Sequence, residues 1–196
     1  GLYNEFSYKN FTLSVLLDGQ VGGKMYSHSH HKMTEQGKLA HTLNGRLPGT
    51  EFYMSKDDPR IATAGLSPQD GMYMIAPGVV KNDDGSFSKN TKVVTVESYY
   101  KEYYRMANVE TNTFSTDFLK LREMRLEYKL PGSTLKKTPF SKASIAFYAR
   151  NLFCITDYPL FDPESAALNG SSMVTGVETG SLPTARTFGL NINLSF

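Results

Sequence analysis

Three histidines fall within Ser27-His28-Ser29-His30-His31, and imidazoles at i and i+2 of an extended segment could converge on a borderline metal ion. Such a site needs further ligands, and no carboxylate or second cluster is placed to supply them, so the trio reads as a solvated loop and no metal is expected. Asn82-Asp83-Asp84-Gly85 has the oxygen richness of a calcium loop but lacks the spacing and the later bidentate glutamate, which leaves a β-turn. Tyr99, Tyr100, Tyr103 and Tyr104 recur at helical i, i+3 and i+4 positions, so a short helix over Glu97 to Arg105 would display a stripe of rings. Rings of this kind stack on sugars and peptides, making these four the candidate substrate-binding residues, although packing of at least one pair onto the rest of the loop is the first expectation for such a stripe. Asp157, Asp162 and Glu164 could suggest acid and base work. There is no nucleophile elbow, phosphate-cradling glycine loop or zinc motif to accompany them, so neither an enzyme nor a cofactor is expected.

The elements that would carry these residues are read from composition first. The 196 residues hold 21 Lys and Arg against 19 Asp and Glu, a net charge of +2 that gives no field for nucleic acid. Cys154 alone excludes an internal disulfide framework. No run of about eighteen apolar residues forms a spanning helix. A bilayer can still be crossed by a closed barrel whose strands alternate apolar and polar residues, and the mean hydropathy of -0.35 is compatible with one. Twelve Tyr and twelve Phe with no Trp suit strands and interfacial girdles.

Period two is strictest at the end, where Phe188, Leu190, Ile192, Leu194 and Phe196 alternate with Thr187, Gly189, Asn191, Asn193 and Ser195. The apolar set would face lipid and the small or amide set a wet lumen, with Phe196 at the bilayer edge. Strands are predicted over residues 2–8, 11–18, 118–130, 141–153 and 184–196. In the third of them Met124, Leu126, Tyr128 and Leu130 share one parity, while Leu119 and Leu121 hold the other. The slip near Arg122 and Glu123 implies either a bulge or an exit from the bilayer. Gly22-Gly23 and Asn169-Gly170 read as turns. The short connections at 9–10 and 131–140 alternate with long ones, about 19–117 and 154–183, which in an outer-membrane barrel would be periplasmic turns and extracellular loops. Five strands with two open edges cannot close in lipid, so the chain is expected to be a fragment or to need a partner bearing the remaining strands.

Four stretches then resemble the SusC/RagA-like TonB-dependent transporters. Phe118-Leu119-Lys120-Leu121-Arg122-Glu123, with Leu126-Glu127-Tyr128 and Leu130-Pro131, is similar to one strand of that family. Ala149-Arg150-Asn151-Leu152-Phe153, with Thr156-Asp157-Tyr158 and Phe161-Asp162-Pro163-Glu164, is similar to the following strand and loop. Leu182 to Leu190 resembles the terminal strand, and Phe6 to Ser14 an earlier hairpin. The four occur in the family's order, and the likeness fails in the long loops.

The resemblance implies an all-β fold: the last five strands of a transmembrane antiparallel β-barrel of twenty-two strands, plugged from its N-terminal side, with long extracellular loops. It implies a complete protein in the outer membrane of a Gram-negative bacterium. That protein would import oligosaccharides or peptides with a SusD-like surface lipoprotein, drawing energy from the TonB complex through a plug that precedes this segment. Leu121, Arg122, Glu123, Asn151, Leu152, Phe153, Asp162, Pro163, Glu164 and Arg186 would be structural motif residues, and Phe196 the barrel-assembly C-terminus. A soluble all-β glycan- or peptide-binding module and a passive porin-like barrel are the alternative readings.

Overall fold

The computed structural model describes residues 1–160, 162–165, 167–169 and 172–196. Phe161 of the Asp162-Pro163-Glu164 stretch and Gly170 of the Asn169-Gly170 turn lie outside them. The chain forms two compact units, one of residues 1–25, 114–177 and 181–196, the other of 26–113 with 178–180.

The first unit is built on a five-stranded antiparallel sheet: β1 (Leu2–Tyr8), β2 (Phe11–Gln20), β3 (Phe118–Lys129), β4 (Lys142–Thr156) and β5 (Thr187–Ser195), each beside its neighbour in chain order. β1 and β2 join through Lys9 and Asn10, with Tyr8 opposite Phe11 and Lys9 at φ 52, the left-handed backbone that so tight a hairpin needs. Short-range alternation decides the faces. Leu13, Leu126, Phe147 and Leu190 stand side by side across four strands, as do Phe11, Tyr128, Ile145 and Ile192 one level away. Among the described residues this face is uncovered: Leu126 is 43% exposed and Leu190 68%. The opposite face carries Thr12, Lys120 and Glu127, all buried, Lys120 to 3%. The usual arrangement of a water-soluble sheet, apolar in and charged out, is inverted.

The parity slip in β3 is a bulge. Against β2 the register passes from Leu16↔Glu123 to Leu17↔Leu121, leaving Arg122 unmatched, and against β4 it passes from Arg150↔Glu123 to Phe153↔Leu121. The extra residue returns Leu119 and Leu121 to the side of Met124 and Leu126, so the apolar face continues past it. Asn151, on the β4 side of the same irregularity, sits at φ 53. On the polar face the ring of Tyr148 lies over Gly189, its cross-strand partner, where a Cβ would meet it at 2.4 Å. The last strand starts at Thr187 rather than 184, and residues 131–140 contain a one-turn helix, Gly132–Leu135.

The second unit holds most of the long connection 19–117. It has its own helices α1 (His28–Glu35), α2 (Pro59–Thr63) and α3 (Val96–Tyr103), a two-stranded ribbon pairing Tyr73–Ile75 with Val93–Thr95, and a hairpin pairing Val79–Lys81 with Phe87–Lys89. Two small cores hold it, one of Met54, Ile61 and Tyr73, the other of Met74, Val96 and Tyr100. Asn82-Asp83-Asp84-Gly85 is the turn of the hairpin, with Gly85 at φ 84 and its N–H donating to the Asn82 carbonyl at 2.9 Å.

Candidate functional site

Two groups of side chains have enough structure to do something chemical, one on the polar face of the sheet and one in the second unit.

On the sheet, β2 and β3 present Asp18, Lys120 and Arg122 to the segment that follows β4. Lys120 Nζ donates to Asp162 Oδ1 at 2.5 Å and also to Glu164; Arg122 donates to Glu164 and to Asp18 Oδ2, at 2.8 Å from its terminal nitrogen. The bulge gives Arg122 this reach, since it is the residue the β2 register skips. Asp162 is 6% exposed and its second oxygen accepts the Thr184 hydroxyl at 2.6 Å, while the Glu164 N–H donates to its first at 3.0 Å. Burial pushes the Asp162 carboxyl up, but these donors outweigh it and hold the group below the usual carboxylate range. Asn151 Nδ2 donates to the Ala185 carbonyl at 3.0 Å, gripping the returning chain just before β5. A cavity of about 130 Å³ remains among Lys120, Asn151, Cys154, Asp162, Thr184 and Arg186.

The structure therefore brings together Arg122, Asn151, Phe153, Asp162, Glu164 and Arg186 of the motif residues. It does not place the others there. Leu121, opposite Phe153 in the register, belongs to the apolar side, Glu123 pairs with Arg150 at 3.0 Å, Pro163 is buried, Leu152 lies in the irregular part of β4, and the Phe196 ring sits 5.1 Å from Phe140. Lys120 and Thr184 lie inside two of the four motif stretches, and Asp18 outside all of them, but none of the three stands among the residues singled out from the sequence. Lys120 also had a signal in its polar parity between Leu119 and Leu121.

In the second unit the histidine trio is helical rather than an extended solvated loop. Ser27 caps α1, accepting from the His30 N–H at 3.0 Å, and buries His30 and His31 among polar partners. His31 meets Glu35 at 2.7 Å and Tyr26 at 3.2 Å, and His30 meets Asn112 at 2.9 Å while stacking on His41 at 5.1 Å. Among the described residues no group of His, Cys, Asp or Glu is arranged to hold a metal ion. Glu178, fully buried, closes the helix start: it accepts from the Ser27 and Ser29 hydroxyls at 2.7 Å each, and from the Ser29 and Gly180 N–H groups. Desolvation pushes this carboxyl up, yet the donors win and keep it below its ordinary value.

The tyrosine quartet divides by role. Tyr100 is core, its hydroxyl donating to the His41 carbonyl at 2.7 Å. Tyr104 packs against His41 at 5.2 Å. Tyr99 and Tyr103 stack nearly parallel, 5.4 Å apart, and with Pro77, Val94, Glu102 and Arg105 they line an open groove of about 380 Å³. Burial, with the neighbouring phenols, pushes Tyr99 up to about 12, so it stays a neutral ring and donor.

Burial also holds His30 and His41 below the ordinary imidazole value, with Asn112 pulling the first back up and His30 pushing the second further down. A lowered folded value means the unfolded unit binds the extra proton, so stability is present above about 6.5 and is lost as pH falls. One titrating ring can contribute at most one proton to that slope, about 1.4 kcal/mol per pH unit. An acid-tolerant protease should accordingly cut within 26–113 faster at pH 5 than at pH 7.5, and His30→Phe should shrink the difference; equal rates would show that the stacked pair does not titrate on opening.

With this geometry in view, the comparisons with known proteins are specific. No family model matches the chain. TonB-dependent receptor P3 of Formosa agariphila is 24% identical over 200 residues, covering 100% of this chain and 16% of the receptor. Among solved structures, that of the RagAB peptide importer in the closed-closed state aligns over 99% of this chain and 17% of its own, with a TM-score of 0.55 and 20% identity. A further structure of the RagAB peptide transporter aligns over 97% of this chain and 16% of its own, with a TM-score of 0.52 and 18% identity. The chain thus spans about a sixth of the length of the proteins it matches. These relatives are a receptor and transporters, not enzymes. The resemblance carried by the four motifs is borne out: in sequence this chain is similar to part of a TonB-dependent receptor, and in fold to part of the RagAB peptide transporter.

Proposed function

We propose that this chain is the C-terminal wall, with its external loops, of a TonB-dependent transporter that imports oligosaccharides or peptides across a Gram-negative outer membrane. The observation that carries the reading is the inverted sheet. An apolar face left open across five strands, over a reverse face of buried Lys120, Glu127 and Thr12, suits lipid outside and a wet lumen inside. A soluble module would cover that face with a second layer.

In this reading the five strands join others into a plugged barrel of about twenty-two, and the segments 19–117 and 154–183 stand outside the cell. A SusD-like lipoprotein closes over them, and the TonB complex acts through a plug contributed by the rest of the protein. Tyr99 and Tyr103 are the best placed of the quartet to meet substrate, because Tyr100 is committed to the core. The experiment is fractionation of the full-length product with uptake of labelled peptides and oligosaccharides. Recovery in the outer membrane with uptake that stops when TonB is removed supports the reading; a detergent-independent soluble product overturns it, and uptake indifferent to TonB points to a passive pore.

A further inference from the structure

The segment between β4 and β5 leaves the sheet after Thr156 and returns at Thr187, and the two ends of that excursion meet on one carboxylate. We propose that Asp162 is a clasp: it fastens both sides of the loop's neck to the polar face of the sheet, so that breaking one ion network opens the neck while the wall stays intact.

The geometry divides the labour between its two oxygens. Oδ1 takes the Lys120 ammonium at 2.5 Å and the Glu164 N–H at 3.0 Å, holding the outgoing limb; Oδ2 takes the Thr184 hydroxyl at 2.6 Å, holding the returning one. Glu164 adds a second tie on the outgoing limb, to Lys120 and Arg122, and Asn151 adds one on the returning limb at Ala185. Arg122 in turn is balanced by Asp18 on β2. Three carboxylates therefore face two cations, and Lys120, at 3% exposed, cannot exchange its partners for water while the neck is closed. All of these contacts come from side chains laid across the sheet or the loop; none is a ladder hydrogen bond, which is why their loss can spare the strands. Losing one member of so buried a set leaves the rest uncompensated, so the neck has closed and open states with little between them. Glu178 takes no part in this network; its partners Ser27 and Ser29 lie with it in the second unit. If the polar face lines the lumen, as proposed above, the clasp lets the base of an external loop loosen without disturbing the wall.

Hydrogen exchange on the full-length transporter in detergent tests this with Asp162→Asn and Thr184→Val. In Asp162→Asn the amides of 164–165 and 181–182 with 184–186 should exchange together about tenfold faster or more, while β3, β4 and the amides beside Glu178 keep wild-type rates. Thr184→Val should accelerate the returning limb and leave 164–165 slower than in Asp162→Asn. Glu123→Gln, which breaks an exposed pair on the same sheet, should leave the neck unchanged. Unchanged exchange in Asp162→Asn would overturn the proposal, as would acceleration spread over β3 and β4, since Asp162 would then hold the fold rather than the neck. Fractionation of the same variants reports the membrane reading separately: a variant with a loosened neck that is still recovered in the outer membrane supports both, and soluble recovery of the wild type defeats only the transporter reading.

Discussion

Arginine placed at Leu126 or Leu190 should cost the assembled protein about 2–4 kcal/mol, while the same change at Ile155 should cost about 0–1 kcal/mol. All three side chains point from the uncovered face and are well exposed, Ile155 at 63%, so a water-facing sheet would accept any of them with little change. The difference comes from depth. Leu126 and Leu190 share a level with Leu13 and Phe147 in the middle of the sheet, whereas Ile155 pairs with Leu119 at the end where β3 begins. In a bilayer the penalty for a cation peaks at the centre and fades toward the headgroups. Recovery of each full-length variant from outer membranes, and its resistance to unfolding in detergent, gives the order. A flat series would mean that this face does not meet lipid.

The second large effect is expected at Glu178. Glu178→Ala strips the acceptor from two serine hydroxyls and two backbone N–H groups, of which the Ser27 hydroxyl is buried and those of Ser29 and Gly180 are part-buried. Leaving the Ser27 hydroxyl without its acceptor should destabilise the second unit by about 1–3 kcal/mol, seen as faster amide exchange through α1 and earlier proteolysis within 26–113. Glu178→Gln keeps the shape and removes the charge, which helps test the pH dependence. Because the folded carboxyl lies below its ordinary value, its contribution is present above about 4.3 and is lost as pH falls through the folded value. His30 acts at higher pH, below about 6.5. Acid should thus loosen the unit in two stages, with Glu178→Gln abolishing only the lower one; a single stage common to wild type and variant would contradict the assignment.

How much of this could be read from residues alone depends on the range of the forces involved. Alternation along β5 is a local property, because neighbouring side chains in a strand must point to opposite faces, so Phe188 to Ser195 announces both strand and orientation. The slip at Arg122 and Glu123 was visible for the same reason, but choosing a bulge over an exit required the partner strands, whose registers fix the skipped residue. The second unit was largely illegible. His28, His30 and His31 look solvated because nothing apolar surrounds them in sequence, yet Ser27 caps their helix and Glu178, 151 residues away, completes the cap. The tyrosine stripe announced a helix correctly placed to within a residue or two, but not that Tyr100 would turn inward toward His41 and Asn44 while Tyr99 and Tyr103 stack together. Asp162 stood out in a motif; its companions Lys120 and Thr184 lie on either side of it in the chain, 42 and 22 residues off, and only folding joins them.

The chain leaves β2 at Gln20 and re-enters β3 at Phe118, and these two residues are paired in the sheet. The ends of the excursion are thus pinned by the strands themselves, and closing a longer or shorter segment between them changes the free energy only slowly, about 0.6 kcal/mol for each doubling of length. Such a junction behaves as a socket. One insert can be exchanged for another in evolution, or by grafting in the laboratory, with the supporting strands translated unchanged. Strand patterns would then persist across distant relatives while the inserts diverge beyond recognition, and a chimera carrying a foreign insert at 20 and 118 would inherit the donor's recognition and the host's wall.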